Sequence, residues 1–346
     1  MMRQRFPLLA GTLLASATLA APAQADGPRV VTSILPIHGL VAGLVDDVME
    51  ADVLLPPDAS PHGYSMRPSE ARRLQNADVV VWVGPDLETF LESPLRNRGE
   101  GTTVVTLMED MELDLLPTRS GGVWEPHDHD HDHDAAHDET HEEGPGDDHD
   151  HGHDHDYDHD HGHDHDHGHD HAHGHQDAHI WLSPDNARAI VTQLADRLSE
   201  NFPDKAGALE DNRDRMLERI DALDTELKER LEPVGDEPFV VFHDAYQYFE
   251  AHYGLNAAGS ITIDPSRSPG ARRISELRDR LSGDDVTCLF TEPQFRPALA
   301  ETIVEGHATR LGQLDPVGVD IRPGPEAWFE LMEDLADGFL DCMKRE

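Results

Sequence analysis

The chain has 346 residues, 27 Lys and Arg against 70 Asp and Glu, and a formal net charge of −43 with histidine counted neutral. Acidity of this size excludes nucleic acid as a partner. Beyond the first residues, no stretch reaches the roughly 18 apolar residues that a membrane span needs.

The N-terminus has the pattern of a secretory leader. Arg3 and Arg5 supply the positive start, residues 6–19 a short apolar run, and Ala23-Gln24-Ala25 a small-residue cleavage site. Residues 1–25 are therefore expected to be a signal peptide, with a mature chain working in a periplasm. The first cysteine is Cys288, so no lipid anchor on an N-terminal cysteine is expected.

After the leader, short apolar segments alternate with helical ones. Residues 30–35, 52–55, 78–83 and 103–107 read as strands, and 39–48 and 68–75 carry helical spacing. Continuous apolar strands separated by helices predict a parallel sheet covered on both faces.

Between His127 and His175 lie nineteen of the 25 histidines, interleaved with aspartate, and no Lys or Arg falls between Arg119 and Arg188. Residues 125–176 hold almost no apolar side chains, so burial cannot offset ordering entropy and a disordered insertion is expected. Imidazole among carboxylates attracts zinc, copper or nickel, which makes the tract an auxiliary metal collector. Its densest part comprises His149, His151, His153, His155, His159, His161, His163, His165, His167, His169, His171, His173 and His175.

Beyond the tract, Ser183 reads as a helix N-cap with Pro184 at the first helical position. Ala187, Ile190, Val191, Leu194 and Leu198 then mark one face, until Pro203 breaks the run. A second, long helix follows, with Met216, Ile220, Leu223, Leu227 and Leu231 at spacings of four, three, four and four. Its charged remainder suggests a rod between two lobes. The second half repeats the first: strands at 239–242, 260–263, 286–290 and 309–314, and helices at 274–281 and 329–339. The fold class is thus α/β: two lobes with parallel sheets, joined by a long rigid connecting helix, with a metal in the cleft between them. The N-terminal lobe takes 26–124 and 177–203, the connecting helix 204–233, and the C-terminal lobe 234–346.

Cys288 and Cys342 are the only cysteines, and in an oxidising compartment a disulfide is their expected fate. The bridge closes a loop of about 50 residues, worth roughly 4 kcal/mol in a chain-entropy account. Thiolate metal ligation is the weaker alternative, because Cys288 sits within the strand pattern Val286-Thr287-Cys288-Leu289-Phe290.

Ligands of open α/β sheets gather beyond the carboxyl ends of the strands. His62, His179, His243, Glu292 and Asp315 all lie just after a predicted strand or just before a predicted helix, and they are the candidate metal site. The segments PHGYSMRPSEARRLQNADVVVWVG, DAHIWLSPDNAR, VFHDAYQYF, TCLFTEPQF and LGQLDPVG resemble the periplasmic zinc-binding, ZnuA-like proteins of bacterial ABC-type zinc importers. These belong to a wider cluster of metal-binding solute-binding proteins that also has manganese members.

The resemblance runs through essentially the whole mature chain. It implies two lobes, a rigid helix and zinc, Zn2+, in the cleft, held by His62, His179 and His243. It further implies Asp315 or a water as fourth ligand, since Pro61 stands where some members carry an acidic residue. Ser260 stands where some members have a histidine of a second site. Three imidazoles and one oxygen favour zinc over manganese. Asp244 and Glu292 are expected to accept hydrogen bonds from ligand imidazoles.

The function expected is non-enzymatic zinc capture by a monomer and delivery to the membrane permease of an ABC importer. Alternatives are a zinc buffer or adhesin without a transporter, or a zinc hydrolase with Glu292 as base. No His-Glu-x-x-His helix supports the hydrolase.

Overall fold

The structure, a computed structural model, describes residues 27–98, 101–119, 124, 176–262, 265, 269–283 and 286–344. The leader and the tract histidines, His149 to His175 among them, lie outside the described residues.

The first lobe contains β1 (Arg29–Thr32), α1 (Leu35–Leu44), β2 (Glu50–Val53), α2 (Pro68–Gln75), β3 (Val79–Trp82), α3 (Thr89–Arg96), β4 (Thr103–Thr106) and the short α4 (Leu107–Asp110). Its sheet runs β2-β1-β3-β4, parallel throughout, with Val30 opposite Ala51 on one side and Val79 on the other. Helices α5 (Pro184–Asn201) and α6 (Ala206–Leu231) follow. The second lobe contains β5 (Pro238–His243), α7 (Gln247–Tyr253), β6 (Asn256–Thr262), α8 (Ala271–Gly283), β7 (Cys288–Thr291), α9 (Ala298–Val304), β8 (Arg310–Gln313) and α10 (Ala327–Met343). Its sheet, β6-β5-β7-β8, repeats the order of the first, again all parallel.

Strand alternation divides the core. Val30, Val79 and Val81 of the first sheet and Phe239, Val241, Cys288 and Phe290 of the second face one shared apolar core. Their neighbours Val31, Val80 and Trp82 pack outward under α2 and α3, and Val240, Phe242 and Leu289 pack outward under α8 and α9. Both faces of each sheet are covered at its centre, which is why inner strands such as β3 and β5 read as apolar runs, while the edge strands β2 and β8 are more exposed.

Helix α6 has 26 residues, about 39 Å at 1.5 Å per residue. Leu209, Met216, Ile220, Leu223, Leu227 and Leu231 form its buried stripe. Asn212 and Asp224 are its buried polar residues; the Asn212 side-chain amide donates to the carbonyls of Leu44 at 2.9 Å and Asp46 at 3.0 Å, closing the end of α1. Ser183 caps α5 by accepting from the Asn186 amide at 3.1 Å.

Helix α1 starts four residues before the expected position, at Leu35 instead of residue 39. Every one of its ten residues is buried, so no polar face marks its limits. Helices α3, α7 and α9 carry no clear sequence signal, being seven or eight residues long, with Pro94 inside α3. The last helix crosses back onto the first lobe: a Cβ at Gly39 of α1 would lie 2.4 Å from the Trp328 nitrogen of α10. Two indoles stitch the lobes further. Trp328 Nε1 donates to the Trp181 carbonyl at 2.9 Å, and Trp181 Nε1 to the Pro316 carbonyl at 2.7 Å. Cys288 and Cys342 form a disulfide that ties β7 to α10, with Cα atoms 6.2 Å apart.

Candidate metal centre

Each histidine of the centre is delivered by a strand end or a short turn. His243 is the last residue of β5 and shares the inner face with Phe239 and Val241, so alternation turns its ring toward the other lobe. His62 sits in the single 3₁₀ turn Pro61–Gly63 beyond β2. His179 immediately precedes the 3₁₀ turn Ile180–Leu182, whose buried apolar side chains anchor it to the core.

The three rings converge. Their centroids are 5.2 Å apart for His179 and His243, 5.4 Å for His62 and His179, and 5.6 Å for His62 and His243. One nitrogen of each lies within 4.8 Å of the others. Among the described residues this is the one group of three or more His, Cys, Asp or Glu donors gathered so closely.

Carboxylates set the orientation of two rings. His243 Nδ1 is 2.6 Å from Glu292 Oε1, and His179 Nδ1 is 2.7 Å from Asp177 Oδ1. A carboxylate accepts, so each Nδ1 carries the proton and each Nε2 presents a lone pair. These two Nε2 atoms stand 3.3 Å apart. Two lone pairs at that distance repel unless a proton or a cation lies between them. Tetrahedral zinc with nitrogens at 2.0–2.1 Å requires a nitrogen–nitrogen edge of about 3.3 Å. His62 Nε2 is buried and has no hydrogen-bond partner.

Electrostatics prepares the rings differently. Burial, reinforced by repulsion from His179 and His243, holds the His62 pKa well below 6.5, so the ring stays neutral. Burial also pushes the His243 pKa down, but attraction and hydrogen bonding from Glu292 outweigh it and the net shift is upward. The space between the rings is small, about 10 Å³, and its walls include Pro61, Trp181, Phe295, Pro316 and Val317. That admits one water-sized occupant and no organic substrate. A larger groove of about 690 Å³, lined by His38, Asp52, Arg67 and Arg73, shares no residue with it.

Two acidic residues are placed otherwise than the sequence suggests. Asp244 does not hydrogen-bond any of the three imidazoles: Arg119 Nε donates to it at 3.0 Å and Arg119 Nη2 also contacts it, while Arg119 Nη1 donates to Glu250 at 2.6 Å. The guanidinium offers a planar fork that outcompetes a single ring N–H. Asp315 stands outside the histidine group. Its oxygens accept from the Val317 amide at 3.0 Å, the Val319 amide at 2.5 Å and Gln294 Nε2 at 2.8 Å, so the carboxylate caps the turn after β8. Ser260 is fully buried in β6.

Sequence reasoning passed over Asp177, the first lobe residue after the tract, although its place two residues before His179 is a local signal. It also passed over Gln294, Arg119 and Tyr248, whose roles no local pattern announces. The Tyr248 hydroxyl accepts from the Leu116 amide at 3.1 Å and donates to the Asp177 carbonyl at 2.8 Å. With the antiparallel bridge between Pro117 and Gln176, it pins both roots of the His-rich insertion beside the rings.

Residues 30–342 match the family described as zinc-uptake complex component A, periplasmic, ZnuA. The high-affinity zinc uptake system protein ZnuA of Brucella suis is 43% identical over 316 residues, 91% of this chain and 92% of that protein. The protein of the same name from Yersinia pestis is 36% identical over 336 residues, 96% of each chain. A crystal structure of ZnuA superposes with a TM-score of 0.69 at 21% identity, covering 92% of this chain and all of the other, a likeness of fold.

Proposed function

The chain belongs to the ZnuA family of periplasmic zinc-uptake components, and from that membership we propose that it captures zinc in the periplasm and hands it to the membrane permease of an ABC-type importer. His62, His179 and His243 are the protein ligands in this reading. The observation that carries it is the pair of Nε2 atoms 3.3 Å apart, each turned inward by a carboxylate on the opposite ring nitrogen. Such a set binds a borderline divalent cation through neutral nitrogens and gathers no excess buried negative charge.

His62 and His179 precede α6 and His243 follows it, so the ligand set is divided between the lobes at 26–124 with 177–203 and at 234–346. Relative displacement of the lobes takes one imidazole from the cation, which supplies a route to release at the permease. The small cavity demands a cation stripped of its water shell. It supports capture over hydrolysis, because an ester or phosphate has no room beside the rings. Among the described residues no helix is long and apolar enough to cross a membrane. In this reading the segment 125–176 gathers zinc near the cleft.

The test is zinc affinity by chelator competition in His62→Ala, His179→Ala and His243→Ala proteins, together with zinc uptake by cells lacking the chain. Each substitution is expected to weaken the tight site at least a hundredfold, and the deletion to abolish uptake at scarce zinc. Wild-type affinity in folded His243→Ala protein would refute the ligand assignment.

A further inference from the structure

The cavity wall carries a side chain whose hydrogen bonds are half made. Gln294 lies three residues beyond β7 and lines the cavity with His243 and Glu292. Its Nε2 donates to Asp315 Oδ1 at 2.8 Å, and its Oε1 is buried without a hydrogen-bond partner. A carboxylate at neutral pH only accepts, so the NH₂ end of this amide must face Asp315 and the oxygen must face away. Asp315 has little to spare for anything else. Its Oδ1 also accepts from the Val317 amide at 3.0 Å, and Oδ2 accepts from the Val319 amide at 2.5 Å. Its chain neighbours Pro316 and Val317 form part of the cavity wall, so the carboxylate is held next to the site but turned to other partners.

We propose that Gln294 determines the metal specificity of this site, holding Asp315 on the Val317–Val319 turn and offering its own neutral Oε1 to the cavity. This rests on the reading of His62, His179 and His243 as ligands and adds what sits beside them. Three imidazoles with the neutral amide oxygen as a further donor form a nitrogen-rich set suited to zinc. Three imidazoles with an anionic carboxylate form a harder set, which narrows the margin over manganese. The amide therefore acts twice: it removes the hard ligand and fills the space that ligand would take. Loss of the NH₂ donor frees Asp315 Oδ1 from the one side-chain bond that restrains it among the described residues. Gln294 is a positioning residue for Asp315 in this account, and neutralising Asp315 reads that part of its effect apart from the loss of its own oxygen.

The experiment is a competition between zinc and manganese, with bound manganese read by its electron paramagnetic resonance signal. It uses full-length wild type, Gln294→Met, and Gln294→Met with Asp315→Asn. Each protein is measured as the difference from its own His243→Ala counterpart, which removes the contribution of the His-rich segment. Methionine keeps the volume of glutamine but neither donates as an amide nor supplies an oxygen. Gln294→Met is expected to lower the preference for zinc at least tenfold, and Asp315→Asn in that background to restore it to within threefold of wild type.

A folded Gln294→Met protein whose preference stays within twofold of wild type overturns the proposal. So does a shift that persists when Asp315 is neutralised. Should melting curves show that Gln294→Met does not fold, Gln294→Leu carries the same expectations and the same refutations. A His243→Ala protein that still binds zinc as wild type does would instead indict the ligand reading, and this proposal would fall with it.

Discussion

Asp177 Oδ1 accepts two hydrogen bonds from one residue, His179: from its backbone N–H at 3.0 Å and from its ring Nδ1 at 2.7 Å. The acid and the histidine are two positions apart, so a single short loop fixes both the backbone and the ring. Replacing Asp177 with alanine frees the ring and removes the acceptor that holds its Nδ1 proton and its orientation. Zinc affinity is expected to fall about 10- to 100-fold, the usual cost of losing a carboxylate behind a ligand histidine. Chelator competition on Asp177→Ala checks this; an affinity within twofold of wild type would leave Asp177 no part in positioning.

Acid should release the cation, and the shifts give the order of events. A histidine must be deprotonated to bind zinc. His243, whose pKa is raised by Glu292, is the first of the two shifted rings for which protons compete as pH falls. His62, held well below 6.5 by burial and its neighbours, joins only at lower pH. Affinity is therefore expected to decline as pH drops toward 6.5 and to steepen below it, by more than about tenfold between pH 7.5 and 5.5. Competition titrations at these pH values test the slope, and a flat profile would contradict a histidine-dominated site.

Glu88 bears on stability alone. It is fully buried at the end of the β3 loop, accepting from the Gly84 amide at 3.0 Å and the Val83 amide at 3.4 Å. Burial outweighs these bonds and pushes its pKa up from 4.5 to about 7. A raised carboxylate contributes stability below its unfolded pKa and loses it as pH rises through the folded value. Glu88→Gln removes that loss. Its stability relative to wild type is expected to rise between pH 4.5 and 7.5, by up to about 3 kcal/mol. Urea midpoints at the two pH values measure it, and a difference that shrinks with pH would reverse the argument.

Removal of residues 125–175 tests what the His-rich segment contributes. The cut keeps the Pro117–Gln176 bridge and the Tyr248 bonds that close the roots of the insertion. One tight zinc is expected to remain while total stoichiometry drops. Loading of the cleft at limiting zinc should slow, because the lost ligands stood at high effective concentration beside it. Stopped-flow loading of intact and shortened proteins decides: equal rates would assign the segment to buffering and not to feeding.

Much of this molecule is written in local pattern. Unbroken apolar runs such as Val79-Val80-Val81 announce strands buried on both faces, and the spacing from Met216 to Leu231 announces the buried stripe of α6. A strand end locates His243, and the turns beyond β2 and before α5 locate His62 and His179, where ligands of open parallel sheets gather. Pairing across distance is another matter. Nothing local tells that Arg119 will take Asp244, 125 residues away, or that Gln294 will engage Asp315. Nor does local pattern show that α1, buried all round, begins at Leu35 or that α10 returns to lie against Gly39. Periodicity reports which face of an element is covered, whereas a hydrogen bond is decided by tenths of an ångström. Those tenths are set by how two lobes, two sheets and the loops at their edges settle against one core. The sequence by itself pointed to zinc, two lobes, three candidate imidazoles and Glu292 beside them; the tertiary structure decided that Asp177 stands behind His179 and that Asp244 and Asp315 turn to other partners.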